Sequence, residues 1–387
     1  MKKLLTFIQP FLGLTNRINA SVKSSSAQIR SSLVLYLFIA GIIAGCAPAV
    51  VTVQERYFWP SPPNPPRIEW LGAYHSQLDL KMTLSRRIKV FIAGEDAPFP
   101  LKKAADVRVD AVADKIYVAD TELGGVYVFD LRNSESRMLS AVGSGFPQQI
   151  TPVSLALDKG RNLYVLESRR LKILVFDASE RYARVIDLNG ICKRPVAIVI
   201  DKSRERLYVA DVNLNKIFAF DLNGVQLFSF GSAGDGEGAF NKPVSIAIGS
   251  NGDIIIADAF NARIQIFKES GVFRSQFGKR GDSVGNFQLI KSVAVDQDDN
   301  IYVVDGLSHS VSIFNLQGEL LFSLGGFYLV STSGKLAPGG FSLPTGIDID
   351  ARGRIFIADQ LNARIQSFQY ISDSKVPSIE PAPQQVK

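Results

Sequence analysis

Two cysteines, Cys46 and Cys192, and two histidines, His75 and His309, are all that this 387-residue chain carries of either type. Two cysteines make one pair at most, not a disulfide framework, and the absence of a Cys-x-x-Cys-His or Cys/His cluster excludes haem attachment and a structural zinc site. Two histidines also exclude a multi-histidine metal centre, so no cofactor is expected. The longest apolar or small run, Leu33 to Gly45, has thirteen residues, against the roughly 20 that a helix needs to span a bilayer. A permanent transmembrane anchor is excluded there. The first 45 residues contain no acid at all, only Lys2, Lys3, Arg17, Lys23 and Arg30. Leaving those five aside, 38 basic residues face 37 acidic ones. With so little net charge, nucleic acid is not an expected partner.

What is present at the N-terminus is a basic segment, a short apolar core and a small-residue exit, the pattern of a secretory signal over residues 1–45. The exit, Ile43-Ala44-Gly45-Cys46, resembles the bacterial lipobox. That resemblance implies cleavage before Cys46, lipidation of that cysteine and membrane attachment through the lipid. Ala47 follows, not Asp, which by resemblance to enteric sorting rules favours the outer membrane, facing the periplasm. Residues 46–66 then include Phe58-Trp-Pro-Ser-Pro-Pro-Asn-Pro-Pro66, where prolines without donors forbid a helix or interior strand. They read as a semi-rigid spacer, with a proline-rich partner motif as the alternative.

Six related strand ends organise the rest: Tyr117-Val-Ala-Asp120, Tyr164-Val-Leu-Glu167, Tyr208-Val-Ala-Asp211, Ile255-Ile-Ala-Asp258, Tyr302-Val-Val-Asp305 and Phe356-Ile-Ala-Asp359. Successive acids are 47, 44, 47, 47 and 54 residues apart. Between Lys242 and Gly278 the chain reads as four antiparallel strands: Val244 to Ile248, a Ser-Asn-Gly turn, Ile254 to Ile256, a loop through Asn261, Arg263 to Phe267, a Ser-Gly turn, and Val272 to Phe277. One such meander buries too little on its own, and a period of about 40–50 residues with four strands each is that of a β-propeller. The repeated pattern, Pro-x-x-x-Ala-x-Asp, turn, Tyr-Val-Ala-Asp, x-x-Asn-x-Arg-Ile, resembles the NHL repeat family over residues 100–370. It departs from the pattern at Ala104 and Gly125 in repeat 1 and at Ile290 and Ser310 in repeat 5.

The expected fold is all-β, a six-bladed propeller over 67–371. The last repeat lacks a fourth strand after Phe368, and the alternating segment 67–74 stands ahead of the first repeat, so pairing them closes the ring and removes open edges. Residues 75–100 read either as a short strand or as part of blade 1. The tail, 372–387, is polar, proline-rich and expected to be disordered.

The acid ending the second strand and the base starting the third lie near one face: Glu167 with Lys172, Asp211 with Lys216, Asp258 with Arg263, Asp359 with Arg364. An acid recurring in every blade reads as structural, so no catalytic residue is expected. Inner-strand positions Asp106, Ser154, Ala197, Ser245, Ser292 and Gly346 are mostly small because the strands crowd the axis. Asp110, Asp158, Asp201, Asp296 and Asp350 occupy the first-to-second turns and are expected to accept turn amides, with a calcium ring as the alternative. No helix follows the glycine-rich loops 231–240 and 278–287, so they are turns, not phosphate loops. The expanded third version, 325–341, carries Phe327 and Tyr328, which with Arg280 and Phe260 are the ligand-face candidates. The expected function is a binding or scaffold module for an envelope protein or polysaccharide. A metal-dependent lactonase- or lyase-like enzyme, which the family resemblance permits, is the alternative.

Overall fold

Alternating or continuous β-branched and aromatic runs broken by Asp, Asn and Gly produce six four-stranded antiparallel meanders. The computed structural model describes residues 56–60, 64–80, 100–139, 149–327 and 337–371. The chain divides into two units, residues 1–55 and 56–387, and only the second is described. Cys46, the signal segment, Tyr328 and the tail 372–387 therefore lie outside the described residues, as do 81–99 of the segment left between alternatives. Its beginning forms a short 3-10 turn, Gln77–Asp79. Among the described residues no helix is long and apolar enough to cross a membrane.

The fourth blade has the strands Pro243–Ile248, Ile254–Asp258, Arg263–Phe267 and Phe273–Phe277, within a residue or two of where periodicity puts them. Its two central strands are buried at every position, while the outermost alternates between half-buried and exposed. Both faces of the central strands are covered because each blade packs between two neighbours. Six apolar clusters follow, each drawn mainly from two adjacent blades: Tyr164 and Ile173 with Ile198 and Val209 between blades 2 and 3, for example. Each fully buried Val, Leu, Ile or Phe contributes roughly 1.5–3 kcal/mol relative to exposure.

Ring closure occurs between blades 1 and 6. The inner strand Ala104–Asp110 lies against the inner strand Pro344–Ile349, joined by Thr345 Oγ1 donating to the Ala104 carbonyl at 3.0 Å and the Val109 amide to Asp348 Oδ2 at 2.8 Å. In blade 6 the strand Ile68–Tyr74 pairs antiparallel with Arg364–Tyr370, so the early segment does supply the missing fourth strand. The ring extends further back than residue 67. Phe58–Trp59 adds a fifth, two-residue edge strand, and Trp59 packs on Phe368 with ring centroids 5.9 Å apart. Proline bars an interior strand, but an edge strand needs only half its donors.

Ile68 is fully buried in the cluster between blades 5 and 6, together with Phe341 and Phe368. Ile68→Ala is expected to cost about 2–5 kcal/mol in urea unfolding. Deleting 56–74 is expected to lower the melting temperature further or cause aggregation by exposing the edge of Arg364–Tyr370. Unchanged stability in both would show that the N-terminal strands do not close the ring.

Candidate functional site

The repeated acid ending each second strand is wholly or almost wholly buried in all six blades. In every blade it accepts from a backbone N–H of the segment leading into the inner strand: Lys102 to Asp120 at 2.8 Å, Thr151 to Glu167 at 3.3 Å, Lys193 to Asp211 at 2.6 Å, Asn241 to Asp258 at 2.7 Å, Gln288 to Asp305 at 2.6 Å and Ser342 to Asp359 at 2.7 Å. Its remaining capacity is used by the following loop, as with the Asn213 and Leu214 amides on Asp211. These carboxylates are structural ties.

Of the four acid–base pairs expected, all are directly opposite in strand register, but only two form ion pairs. Arg263 meets Asp258 at 2.9 Å and Arg364 meets Asp359 at 2.7 Å. Glu167 instead takes Arg170 at 3.2 Å, and Lys172 turns away to Asp187 at 2.5 Å. Asp211 is already filled by four backbone amides, and Lys216 makes no ion pair with it. An arginine's five-donor fork can hold the acid and several carbonyls at once, which a lysine's single ammonium does not match. Arg263 continues to the carbonyls of Asp235, Gly236 and Ala239, at 2.6, 2.9 and 2.8 Å, and so clamps the glycine-rich loop. Sequence reasoning missed the residue before each third strand. Gly124, Leu171, Asn215, Ala262, His309 and Ala363 all have φ between 50° and 74°, a left-handed conformation that costs residues other than glycine roughly 1–2 kcal/mol.

The glycine-rich loops are turns, as expected. Gly231, Gly278 and Gly325 have φ of 91°, 95° and 100°, and a Cβ at each would come within 2.3–2.5 Å of the rings of Phe240, Phe287 and Phe341. Those phenylalanines are buried plugs, and each amide returns to the start of its loop.

The expected turn series is also confirmed in place. Asp110, Asp158, Asp201, Asp296 and Asp350 each accept turn amides through Oδ1. Their second oxygens are occupied too, by Arg161, Asn162, Arg204, Asn300 and Arg354 respectively. A cation at that mouth would have to displace these donors. Among the described residues no group of three or more His, Cys, Asp or Glu could hold a metal ion.

All six predicted inner positions line one cavity of about 230 Å³ on the channel axis. A second, of about 320 Å³, continues toward the first-to-second turns, and Arg108 lines both. Asp106 accepts from the Val107 and Leu155 amides, from Ser154 Oγ and from Arg108. Burial nevertheless pushes its carboxyl above the ordinary aspartate range, against the pull of Arg108, and the same holds for Asp348.

On the face of the blade-to-blade loops, the residue two places after each acid is exposed. In blades 1 to 3 it is Glu122, Arg169 and Asn213; in blades 4 to 6 it is Phe260, Leu307 and Leu361. The last three are 56, 53 and 64% exposed. Val284 and Phe327 are exposed on the blade-to-blade loops of the same face, Phe327 with its ring 4.6 Å from that of His309. Of the candidates read from sequence, Phe260 belongs to this arc and Phe327 to the same face. Arg280 is exposed, but its guanidinium donates to the Phe260 and Gln288 carbonyls and holds the loop. Leu307 and Leu361 were missed, although aligning the six repeats on their acids puts them in one column with Phe260.

Arg364 is 1% exposed and its partner is fully buried. Arg364→Met strands the Asp359 charge and is expected to cost about 3–5 kcal/mol, whereas Arg181→Met, in the solvent-exposed pair with Asp177, costs far less. Denaturant unfolding of both checks this; equal losses would refute the assignment of Arg364 as the buried clamp.

Comparison with known proteins agrees with the architecture. Residues 241–323 match the model of a family described as a 6-bladed beta-propeller. No curated protein matches the chain. Among solved structures, a protein of unknown function from Bacteroides thetaiotaomicron is 15% identical with a TM-score of 0.55, covering 70% of each chain. Virginiamycin B lyase from Staphylococcus aureus is 13% identical with a TM-score of 0.51, covering 70% of this chain and 96% of that one. At such identities the likeness concerns fold alone, and on fold, family match and blade topology coincide: the chain is a six-bladed β-propeller.

Proposed function

We propose that this protein is an exported, lipid-anchored, NHL-type propeller that serves as a binding or scaffold module for an envelope protein. The observation that carries the reading is the arc of Phe260, Leu307 and Leu361 at one repeated position in three consecutive blades, on a rigid ring whose other three blades are polar there. Exposed apolar side chains gathered on one face and flanked by polar ones mark interaction sites, and Phe327 and Val284 are exposed on the blade-to-blade loops of the same face. Two of the five are leucines and one is a valine, which favour an apolar protein surface over a polysaccharide, since sugars stack on flat aromatic faces. The lipobox-like Ile43-Ala44-Gly45-Cys46 supports the anchor, and two or more acyl chains would hold the protein stably at the membrane.

The surface is tested by Phe260→Ser, Leu307→Ser and Leu361→Ser together. Their exposure predicts a folded protein with a melting curve within about 0.5 kcal/mol of wild type per site. Site-specific photo-crosslinking in the native host is expected to yield one discrete envelope-protein adduct from position 361 and none from position 213. The triple change should abolish it. Equal adducts from both positions, or survival in the triple variant, would place the partner elsewhere. For the anchor, Cys46→Ser should move the protein out of the membrane fraction or leave it unprocessed; an unchanged mature membrane pool is the contrary result.

A further inference from the structure

Along an inner strand, every second residue points to the same side. Two positions after the small channel residues stand Arg108, Ala156, Val199, Ala247, Ala294 and Asp348, in blade order. Four are apolar. The two exceptions carry opposite charges and lie on the inner strands of blades 1 and 6, which pack directly against each other. Both line the 320 Å³ cavity, whose other walls include Val199, Ala247 and Ala294.

These two charges are not paired with each other. Arg108 forms its ion pair with Asp106 at 3.2 Å, and the same Nη1 donates to the carbonyls of Val107 at 2.7 Å and Ile347 at 3.1 Å. Its Nε and Nη2 make no hydrogen bond among the described residues. Asp348 accepts the Val109 amide through Oδ2 at 2.8 Å, and its Oδ1 accepts none among them. A nearly buried guanidinium with a free Nε/Nη2 edge is suited to a carboxylate in bidentate contact. A carboxylate oxygen facing the same space is suited to an ammonium group.

We propose that this end of the channel binds a small zwitterion, an α-amino acid with an apolar side chain. The ligand carboxylate takes the Nε/Nη2 edge of Arg108, its ammonium takes Asp348 Oδ1, and its side chain lies against Val199, Ala247 and Ala294. Charge balance supports the choice. Over the two cavities Arg108, Lys202 and Lys291 offset Asp106, Asp201 and Asp348, so a ligand of zero net charge leaves nothing uncompensated, while a simple anion or cation would. Size agrees as well, because 320 Å³ sits at the low end of the roughly 300–1,000 Å³ of ligand pockets. The site is lined by first-to-second turn residues, on the side of the ring away from the apolar arc, so its test is independent of that surface.

The probes are L-valine and its two single-charge analogues, 3-methylbutanoate and 2-methylpropylamine, titrated calorimetrically into the purified full-length protein near pH 7. Valine is expected to bind saturably and at least about tenfold more tightly than either analogue. Asp348→Asn is nearly isosteric and still accepts the Val109 amide. It should weaken valine about tenfold or more while 3-methylbutanoate binds as well as before or more tightly. Arg108→Lys keeps the charge but loses the fork, and should weaken valine and 3-methylbutanoate together. Absence of saturable valine binding to the wild type, an analogue that binds as well as valine, or an Asp348→Asn change that alters all three probes equally would each overturn the proposal.

Discussion

The ring depends on a buried carboxylate at the end of each second strand. Placed there, it holds three pieces of chain that lie far apart in sequence: the segment arriving from the preceding blade, the strand it terminates, and the loop into the third strand. In blade 4, Asp258 reaches the Asn241 amide on one side and Arg263 on the other, and Arg263 passes the restraint on to the glycine-rich loop. A buried charge is costly unless fully paired, and this one is satisfied in every blade. The donors differ: four backbone amides in blade 3, an arginine, asparagine and glutamine in blade 6. The carboxylate is the constant and its partners are the variable, which is why the expected acid–base pairing holds in only two of four blades.

That economy frees the rest of the face. With the loop backbone tied down, the position two places after the acid keeps its side chain in solvent while its backbone N–H is held, as by Asp120, Asp211 and Asp305. Blades 1 to 3 use it for polar groups, and blades 4 to 6 for Phe260, Leu307 and Leu361. An apolar arc on a rigid scaffold loses little entropy on docking because its backbone is already ordered. The channel obeys a different constraint. Inner strands crowd the axis, so most positions are small, and two opposite charges at one level, Arg108 and Asp348, stand out against Val199, Ala247 and Ala294.

The sequence by itself determined the number of blades, the strands of each and the closing strand, because four-strand patterns at a near-constant spacing leave one way to bury both faces of every sheet. It also identified the small inner positions, the turn aspartates and the structural standing of the repeated acid. Tertiary structure decided the rest, each time for a geometric reason. Lys172 stands opposite both Glu167 and Asp187 in register, and it meets Asp187 because Glu167 is already taken by Arg170 and the Thr151 amide. That Phe58–Trp59 joins the ring depends on a free edge beside Ile68–Tyr74. The juxtaposition of Arg108 with Asp348, 240 residues apart in the chain, exists only once the last blade packs on the first, since no local pattern records which two strands will meet when a ring closes.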